Sequence, residues 1–528
     1  MDSVSNERQK AAPDSTSAGW PGRTRARATL PFFVLTASFV LFRLPALTNA
    51  GFINSDGAVT GLQALQMLRG EWAWLHWGRA YLTSIDSVMA TPIFALFGAT
   101  PLTLMCATIL GQMTSAWLAF ATLRRHLPAW TALIATLPIV FMTMALNIYL
   151  FFHIRQWCLA LAMCSFFLLD GASDSRWPTL RYVAGIFTGI MATFIDLYAL
   201  QFMPGLFLFA FLCCLDGPFK PPRTIARFAA VVAGAAAGWV AVRYLGHSLG
   251  VSTDRAGWHL AKIPGNLDLL WETCLPWLIG WKLFIIGNQP YPEAYSPNFA
   301  YRAIALLGAV VFGAVLLFGA CMFFVRSIPW KVRRLGLLGS SVAVSSLSGF
   351  LVSTAVEDMW AARFLAPVVL TLPFAIAPLA YWFRGRQLLA VLSPYLFAIA
   401  VGGWLTFGMF VNGPLPTRTP RGVSDEEAQV AAMLMNRGIR YGAAHYWLAY
   451  RLTFIFQERP IIIPIESEDR YPRYRAEFNA APIVAYIFHP SQPWLNPNVY
   501  EERFKKDQVK YEKIGMFDFT IFIINRQL

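Results

Sequence analysis

Asp56 is the acidic residue best placed for chemistry. It lies in the sequence Asn54-Ser55-Asp56-Gly57, a few residues after the first long apolar block of the chain. A carboxylate at a membrane edge, partly shielded from water, has its pKa raised toward the range in which it acts as a general base. The same four residues are also good chemistry for capping a helix. The local sequence therefore leaves two interpretations of Asp56 open, a general base and a helix N-cap.

Further charged and polar residues lie near the ends of later apolar blocks. Asp86 either binds substrate or is a solvated loop residue. Arg155, close to His153, either binds an anion or extends its guanidinium to the membrane interface. Asp196 and Tyr198 lie in a turn between two apolar blocks, where an acid is a functional candidate or the cap of a short helix.

The elements that must position these residues are membrane-spanning helices. Hydrophobic residues make up 56% of the 528 residues and charged residues 14%, against about 25% charged residues in soluble proteins. A bilayer core about 30 Å thick requires about 20 apolar residues per helical span. The pattern predicts an α-helical polytopic membrane protein with about eleven spans, of which the pair in 182–215 is short. The predicted spans are 32–47, 102–123, 130–145, 150–169, 182–194, 197–215, 228–245, 303–325, 335–356, 364–382 and 388–411.

Arginine and lysine residues cluster after alternate blocks, which places the N-terminus in the cytoplasm by the positive-inside rule. This alternation also accounts for the net charge of +14, and the sequence has no nucleic-acid motif, so we expect no nucleic-acid partner. The predicted organisation is a disordered cytoplasmic tail at 1–29 and a transmembrane domain at 30–411. Its outer loops are 48–101 and 246–302, and an extracytoplasmic segment occupies 412–528.

The C-terminal segment has the pattern of a small α/β domain. Ser424 and Glu427 form a capping box before a helical stretch. The runs PIIIPI, APIVAYIF and FDFTIFII are typical of buried strands. Tyr446, Trp447 and Tyr450 form an aromatic group, for which we expect a packing role, with acceptor binding as the alternative.

The first outer loop resembles the corresponding loop of the GT-C superfamily of membrane glycosyltransferases. The nearest branch comprises bacterial proteins similar to dolichyl-phosphate-mannose protein mannosyltransferases and the lipid A aminoarabinose transferase. In that family an acidic residue follows the first span, as Asp56 does here. A segment of the pattern Tyr-Gly-Gln-x-Tyr-x-Gly-Ser-Leu-Glu then precedes the second span, and Trp-Gly-Arg-Ala-Tyr-Leu-Thr-Ser-Ile-Asp at 77–86 occupies its place. The departures include Arg79 for Gln, Thr83 for Gly and Asp86 for Glu.

Two later stretches extend the resemblance along nearly the whole chain. Arg-Phe-Leu-Ala-Pro at 363–367 is similar to the family's Arg-Tyr-Leu-x-Pro entry into a late span, with Phe364 in place of Tyr. The stretch that begins at Arg440 is similar to the start of the soluble segment in related bacterial members. The order of these motifs, more than any one of them, carries the resemblance.

The resemblance implies transfer of a hexose or pentose from a polyprenyl-phosphate carrier to an extracytoplasmic acceptor, usually with inversion, in a bacterial plasma membrane. The acceptor is a glycan, a lipid or a protein, and membrane lipid is a further partner. Asp56 is then the expected base. Arg363 is the best candidate for the donor phosphate, unless it forms a structural ion pair with Glu357 or Asp358. The other expected substrate-binding residues are Asp86, Arg79, Tyr81, Arg155, His153, Asp196 and Tyr198.

We expect no cofactor, although some family members use a divalent cation. Six of the seven cysteines lie in apolar blocks, and no Cys/His spacing suits a metal. His247 and His259 have no third ligand at a useful spacing. Two other functions stay open, a lipid or solute transporter (or flippase) and an inactive GT-C-like scaffold. A transporter would need ionisable groups near the membrane midplane and often internal repeats, which the sequence lacks.

Overall fold

The computed structural model describes residues 21–527 except 142–143, 218–219, 252–256, 286–292, 296, 407–423, 467–468 and 491–493. The part before the C-terminal domain is almost entirely helical. Its α-helices are α1 (Pro21–Leu41), α2 (Leu44–Thr48), α3 (Ser55–Leu68), α4 (Ile85–Phe97), α5 (Pro101–Arg124), α6 (Ala129–Val140), α7 (Met144–Phe152), α8 (Gln156–Asp170), α9 (Pro178–Ile195), α10 (Met203–Cys214), α11 (Pro221–Leu249), α12 (Ile263–Leu269), α13 (Leu275–Leu278), α14 (Phe299–Cys321), α15 (Trp330–Val352), α16 (Ala366–Trp382) and α17 (Arg386–Thr406). The strands β1 (Leu75–His76) and β2 (Arg79–Thr83) form one short antiparallel pair, and β3 (Leu283–Ile285) and β4 (Glu293–Tyr295) form another.

Among the described residues, nine helical segments are long and apolar enough to cross a membrane. They are Thr29–Thr48, Pro101–Arg124, Pro178–Ile195, Leu197–Cys214, Pro221–Leu249, Phe299–Phe324, Trp330–Val352, Met359–Trp382 and Arg386–Leu405. Each coincides with a predicted span, and the two remaining predicted spans correspond to the shorter apolar helices α6 and α8. The prediction of an α-helical polytopic protein is therefore confirmed.

Helix α1 is described from Pro21, so residues 21–29 are helical, which differs from the predicted disordered tail over 1–29. Residues 1–20 and the predicted domain boundary at 411–412 lie outside the described residues.

Residues 424–527, here called the C-terminal domain, contain a five-stranded mixed sheet. Its strands are β5 (Tyr441–Ala444), β6 (Ile461–Pro464), β7 (Ile483–Phe488), β8 (Tyr511–Met516) and β9 (Phe519–Asn525), in the order β6-β5-β7-β9-β8. Strand β5 pairs in parallel with β6 and β7, and β9 pairs antiparallel with β7 and β8. The domain's helices are α18 (Asp425–Asn436), α19 (Tyr446–Ile455), α20 (Pro472–Ala480) and α21 (Pro497–Lys506). The capping box is present, and the three predicted strands are β6, β7 and β9.

The C-terminal domain and the first outer loop share one hydrophobic core. It includes Ile53, Leu62 and Phe94 from the loop and Tyr450, Phe454 and Phe522 from the domain. Gly61 allows α3 to approach α19, since a Cβ atom there would lie 2.5 Å from the Phe454 ring. Most residues of α3 are buried, including the polar residues Thr60, Gln63 and Gln66. The C-terminal domain therefore covers α3, a contact that helical periodicity alone does not reveal.

The tryptophans of the first outer loop divide into two environments. Trp72 and Trp74 are exposed, as expected for interfacial residues. Trp77 is buried and stacks on Tyr471 of the C-terminal domain, with ring centroids 4.1 Å apart. Trp77 therefore packs against the C-terminal domain, which supplies its aromatic partner.

Charged residues tie the helices together at the end of the bundle remote from Asp56. Asp170, the last residue of α8, is buried and accepts hydrogen bonds from His126 and from Arg334 of α15. Arg334 also pairs with Asp216, close after α10. Burying a cation is tolerated only when it is paired and hydrogen-bonded. This network fixes the ends of α8 and α15 and leaves the opposite ends to form the candidate site.

Candidate active site

Asp56 is not the cap of α3. Asn54 is the N-cap, and its Oδ1 accepts a hydrogen bond from the backbone N–H of Gly57 at 2.8 Å. The Ser55 hydroxyl donates to the backbone carbonyl of Tyr446 and accepts from the N–H of Arg451 at 3.2 Å. Asn54 thus caps the helix, and Ser55 binds the C-terminal domain. The Asp56 carboxylate remains available for other partners.

Three polar side chains contact the Asp56 carboxylate. The Tyr446 hydroxyl donates a hydrogen bond to Oδ1. Arg470 Nη2 lies 3.4 Å from the same oxygen, and Arg79 Nη2 lies 3.4 Å from Oδ2. The Asp56 side chain is 16% exposed. One face of α3, the hairpin β1–β2 and the C-terminal domain therefore meet at this single carboxylate.

The charges around Asp56 lower its pKa. Burial raises the pKa of this carboxyl group, but the two guanidinium groups of Arg79 and Arg470 and the hydrogen bond from Tyr446 together outweigh it, so the pKa lies below its ordinary value. We expected a raised pKa from shielding at the membrane edge, and that expectation is wrong in direction. The expectation did not include the positive charges of Arg79 and Arg470, which lower the pKa. Asp56 is ionised at neutral pH and can accept a proton.

His76 and Tyr446 are the other titratable groups at this carboxylate. Burial and the nearby Arg79 lower the pKa of His76 to about 3, so the imidazole is neutral. Burial and the adjacent Asp56 raise the pKa of Tyr446 well above its ordinary value. The Tyr446 hydroxyl therefore stays protonated and donates a hydrogen bond to the carboxylate. Arg79 also donates to the Tyr81 hydroxyl at 2.7 Å, which orients both side chains of β2.

Asp86 holds the connection between α7 and α8. Its Oδ2 accepts from the backbone N–H of Arg155 at 2.8 Å and its Oδ1 from that of Gln156 at 3.1 Å. Burial raises the pKa of Asp86 to about 7, against the lowering effect of these backbone hydrogen bonds. In the connection, His153 and Arg155 have positive φ values of 50° and 73°. Such backbone is strained and needs support from its surroundings, which Asp86 provides.

Arg155 and Asp196 form a buried ion pair at the centre of the site. Asp196 also caps the short helix that follows it, because its Oδ1 accepts from the N–H of Tyr198 at 2.8 Å. Asp196 is therefore the cap of this short helix and the ion-pair partner of Arg155. Its backbone forms an antiparallel bridge to Leu82 of β2. This bridge places the Arg155–Asp196 pair beside the strand that carries Arg79 and Tyr81.

Arg363 is the cation of the site without a carboxylate partner. Among the described residues its guanidinium forms no ion pair or hydrogen bond, although it lies over the rings of Phe152 and Phe364, at 5.3 Å and 4.8 Å. Its position is fixed through its backbone carbonyl, which accepts from the Tyr198 hydroxyl at 2.9 Å. Asp358, which we considered as an ion-pair partner, instead caps Trp360 at 2.9 Å.

His153 lies at the edge of this group. Its Nδ1 is 2.8 Å from the Thr108 hydroxyl, and its Nε2 is buried with no hydrogen-bond partner in the described part of the chain. The nine predicted site residues thus form two adjoining groups. The first is Asp56, Arg79 and Tyr81, and the second is Asp86, His153, Arg155, Asp196, Tyr198 and Arg363.

Comparison with solved structures finds this arrangement of helices and C-terminal domain in two structures of ArnT from Cupriavidus metallidurans. The apo structure has a TM-score of 0.59 at 10% sequence identity, covering 95% of this chain and 99% of ArnT. The structure bound to undecaprenyl phosphate has a TM-score of 0.58 at 10% identity, covering 94% and 98%. The chain has a GT-C type fold. The resemblance inferred from its motifs is therefore confirmed at the level of the fold.

The archaeal oligosaccharyltransferase AglB from Archaeoglobus fulgidus also matches, with a TM-score of 0.47 at 12% identity, over 89% of this chain and 70% of AglB. No protein-family model and no curated protein sequence matches the chain.

The sequence patterns do not identify two residues of this site. Tyr446 belonged to an aromatic group to which we assigned a packing role, yet its hydroxyl contacts Asp56. Arg470 lies in the charged stretch Glu-Asp-Arg-Tyr-Pro-Arg, where no pattern separates it from its neighbours. Within the described ranges no three His, Cys, Asp or Glu residues group closely enough to hold a metal ion.

Proposed function

We propose that this protein is a glycosyltransferase that moves a sugar from a polyprenyl-phosphate carrier to an acceptor at the outer face of a bacterial plasma membrane. The carrying observation is that the site of this GT-C fold contains both an ionised base, Asp56, and a cation, Arg363, that has no ion pair with a carboxylate among the described residues. The two residues also interact electrostatically. The same fold binds undecaprenyl phosphate in ArnT.

The proposed reaction is a single displacement with inversion. The acceptor's O–H oxygen attacks the anomeric carbon, the bond from that carbon to the phosphate oxygen breaks, and the polyprenyl phosphate leaves with the electron pair. The acceptor proton passes to the Asp56 carboxylate. Arg363 stabilises the negative charge that develops on the leaving phosphate, and such fixed charges act strongly in a site that excludes water.

The remaining residues of the site have supporting roles in this proposal. Arg155 and Asp196 fix the strained connection before α8, and Asp86 supports it from the outer loop. Arg79 donates a hydrogen bond to the Tyr81 hydroxyl and contacts Asp56, and Tyr81 interacts electrostatically with the Arg155 guanidinium. We assign Arg79 and Tyr81 to binding of the donor sugar or phosphate. In this proposal the N-terminus lies in the cytoplasm and the C-terminal domain lies outside the membrane.

The wild-type protein, reconstituted in liposomes, is expected to consume a radiolabelled polyprenyl-phosphate sugar in the presence of membrane extract. Label should pass to an acceptor fraction, and unlabelled polyprenyl phosphate should accumulate in equal amount, because one carrier is released per transfer. A liposome-flip assay run in parallel tests the transporter alternative. Movement of the intact labelled donor across the bilayer without release of polyprenyl phosphate would contradict the proposal.

We also propose that transfer requires no divalent cation. The positive charge at the site comes from Arg79, Arg155, Arg363 and Arg470, while Asp86 and Asp196 already bind backbone N–H groups or a guanidinium. Activity in the label-transfer assay should therefore remain within about twofold after EDTA treatment, since a metal that bridged the phosphate would contribute several kcal/mol. Loss of activity on chelation, with recovery on adding Mg²⁺ or Mn²⁺, would refute this part of the proposal.

A further inference from the structure

The C-terminal domain extends two side chains to Asp56. Tyr446 is the first residue of α19, and Arg470 lies just before α20. Besides their contacts with the carboxylate, they contact each other, because Arg470 Nε donates to the Tyr446 hydroxyl at 3.1 Å. The pair therefore forms one unit against Asp56, opposite Arg79.

The hairpin of the outer loop is shaped to receive Arg470. Arg470 Nη1 donates to the backbone carbonyl of Gly78 at 2.8 Å. Gly78 has a φ of 68°, and a Cβ atom there would lie 2.5 Å from Arg470 Cδ. Only glycine meets both requirements without strain. The backbone N–H of Arg470 donates to the Tyr450 hydroxyl at 2.6 Å, so the residue is held from its own domain as well.

Adjacent contacts make this junction rigid. Tyr471 stacks on Trp77, with an angle of 7° between the ring planes. The Ser55 hydroxyl donates a hydrogen bond to the backbone carbonyl of Tyr446. Ser55, which precedes Asp56, is therefore attached to Tyr446, whose side chain contacts Asp56. The Arg451 guanidinium reaches the carbonyl of Gly51 at 3.3 Å. The contacts thus determine the position of Tyr446 and Arg470 relative to the carboxylate, beyond what domain packing alone requires.

We infer that Tyr446 and Arg470 are positioning residues of the transfer reaction, so that the C-terminal domain is part of the catalytic site and not a separate module. The inference rests on the proposed function of Asp56. The hydrogen bond from Tyr446 orients the Asp56 carboxylate. The positive charge of Arg470 keeps that carboxylate ionised. Both arginine contacts with Asp56 are 3.4 Å long. A donor phosphate can therefore compete for a guanidinium and leave Asp56 a stronger base when the donor is bound.

The test is the pH dependence of kcat/KM for Arg470→Gln and Tyr446→Phe. The groups that face Asp56 are Arg79, Arg470, Tyr446 and the neutral His76, with Arg363 at longer range. A base works only when ionised, so activity falls as the pH drops through its pKa. Removing a cation or a hydrogen bond raises that pKa. Each variant should move the acid limb upward by about one pH unit. Each should also lower kcat/KM at neutral pH about 10- to 100-fold, because the carboxylate loses a contact that holds it in position.

Arg473→Gln is the matched control. Arg473 lies on the same stretch of the C-terminal domain and pairs with Glu71 of the outer loop and with Glu477, but it makes no described contact with Asp56. Its side chain is 57% exposed, so its ion pairs contribute little to stability. Its pH profile should match that of the wild type. Arg470→Lys should recover much of the acid limb, because the charge is retained.

Tyr446→Phe removes only a hydroxyl group and keeps the ring, so it reports on the site even if Arg470→Gln does not fold. An unchanged acid limb and an unchanged kcat/KM in Tyr446→Phe, and in Arg470→Gln where that variant folds, with Asp56→Asn inactive, would overturn the inference and leave the proposed function intact. Full activity of Asp56→Asn would instead overturn the proposed function. A second limb near pH 7, from Asp86, should be the same in every variant.

Discussion

Asp56→Asn is expected to reduce kcat about 10²- to 10⁴-fold, the usual contribution of a positioned general base. Asparagine has the shape of aspartate and can still accept the hydrogen bond from Tyr446, but it cannot take a proton. Asn54 caps α3, so the substitution leaves the helix start intact. The KM for the donor should change little, since Arg363 and the Arg155–Asp196 pair remain. The measurement is label transfer under single-turnover conditions.

Glu71→Gln provides the control for this substitution. Glu71 is a carboxylate of the same outer loop, bonded to Tyr471 and Arg473 of the C-terminal domain, and its side chain is 45% exposed. Its replacement should leave kcat within about twofold, because exposed ion pairs contribute little to stability. A comparable loss of kcat in both variants would assign the effect to domain docking and would argue against Asp56 as the base.

The fold could be predicted because its signals are local. Each apolar block of about 20 residues specifies a spanning helix by itself, and all eleven predicted spans contain an apolar helix. The capping box of Ser424 and Glu427 is likewise a four-residue pattern, and both of its hydrogen bonds are present. The strands β5 and β8 were missed, since Tyr-Gly-Ala-Ala and the half-exposed Tyr511–Met516 lack a clear apolar alternation.

The sequence suggests candidate residues for the site, but the surroundings of each residue depend on contacts that the sequence does not reveal. The type and position of Asp56 follow from the sequence, but its pKa depends on Tyr446 and Arg470, which are 390 and 414 residues away. The role of Asp86 depends in the same way on backbone N–H groups about 70 residues further along the chain. Contacts between loops so far apart leave no periodic pattern in a single sequence. Residue type can therefore suggest a site, but the direction of a pKa shift can be predicted only when the residues around the titratable group are known.

Arg363→Gln is expected to lower kcat/KM about 10²- to 10³-fold, the loss typical of removing one group that stabilises charge in a transition state. Arg363 has no carboxylate partner among the described residues, and its Tyr198 contact uses the backbone. The substitution therefore leaves no buried anion behind, and thermal unfolding should shift little. Arg363→Lys should retain part of the activity, because it keeps the charge but loses the planar, bidentate geometry that suits phosphate.

Arg155→Gln is the comparison that separates a phosphate-binding arginine from a structural one. Arg155 is paired with the buried Asp196, so its removal leaves an uncompensated charge and is expected to cost about 3–5 kcal/mol of stability. Arg155→Gln should therefore lose both stability and activity, whereas Arg363→Gln should lose activity alone. Binding of polyprenyl phosphate, measured by tryptophan fluorescence or native mass spectrometry, should weaken in Arg363→Gln. Unchanged carrier affinity and transfer in that variant would remove Arg363 from the phosphate site, and the charge would then have to come from Arg79 and Arg470.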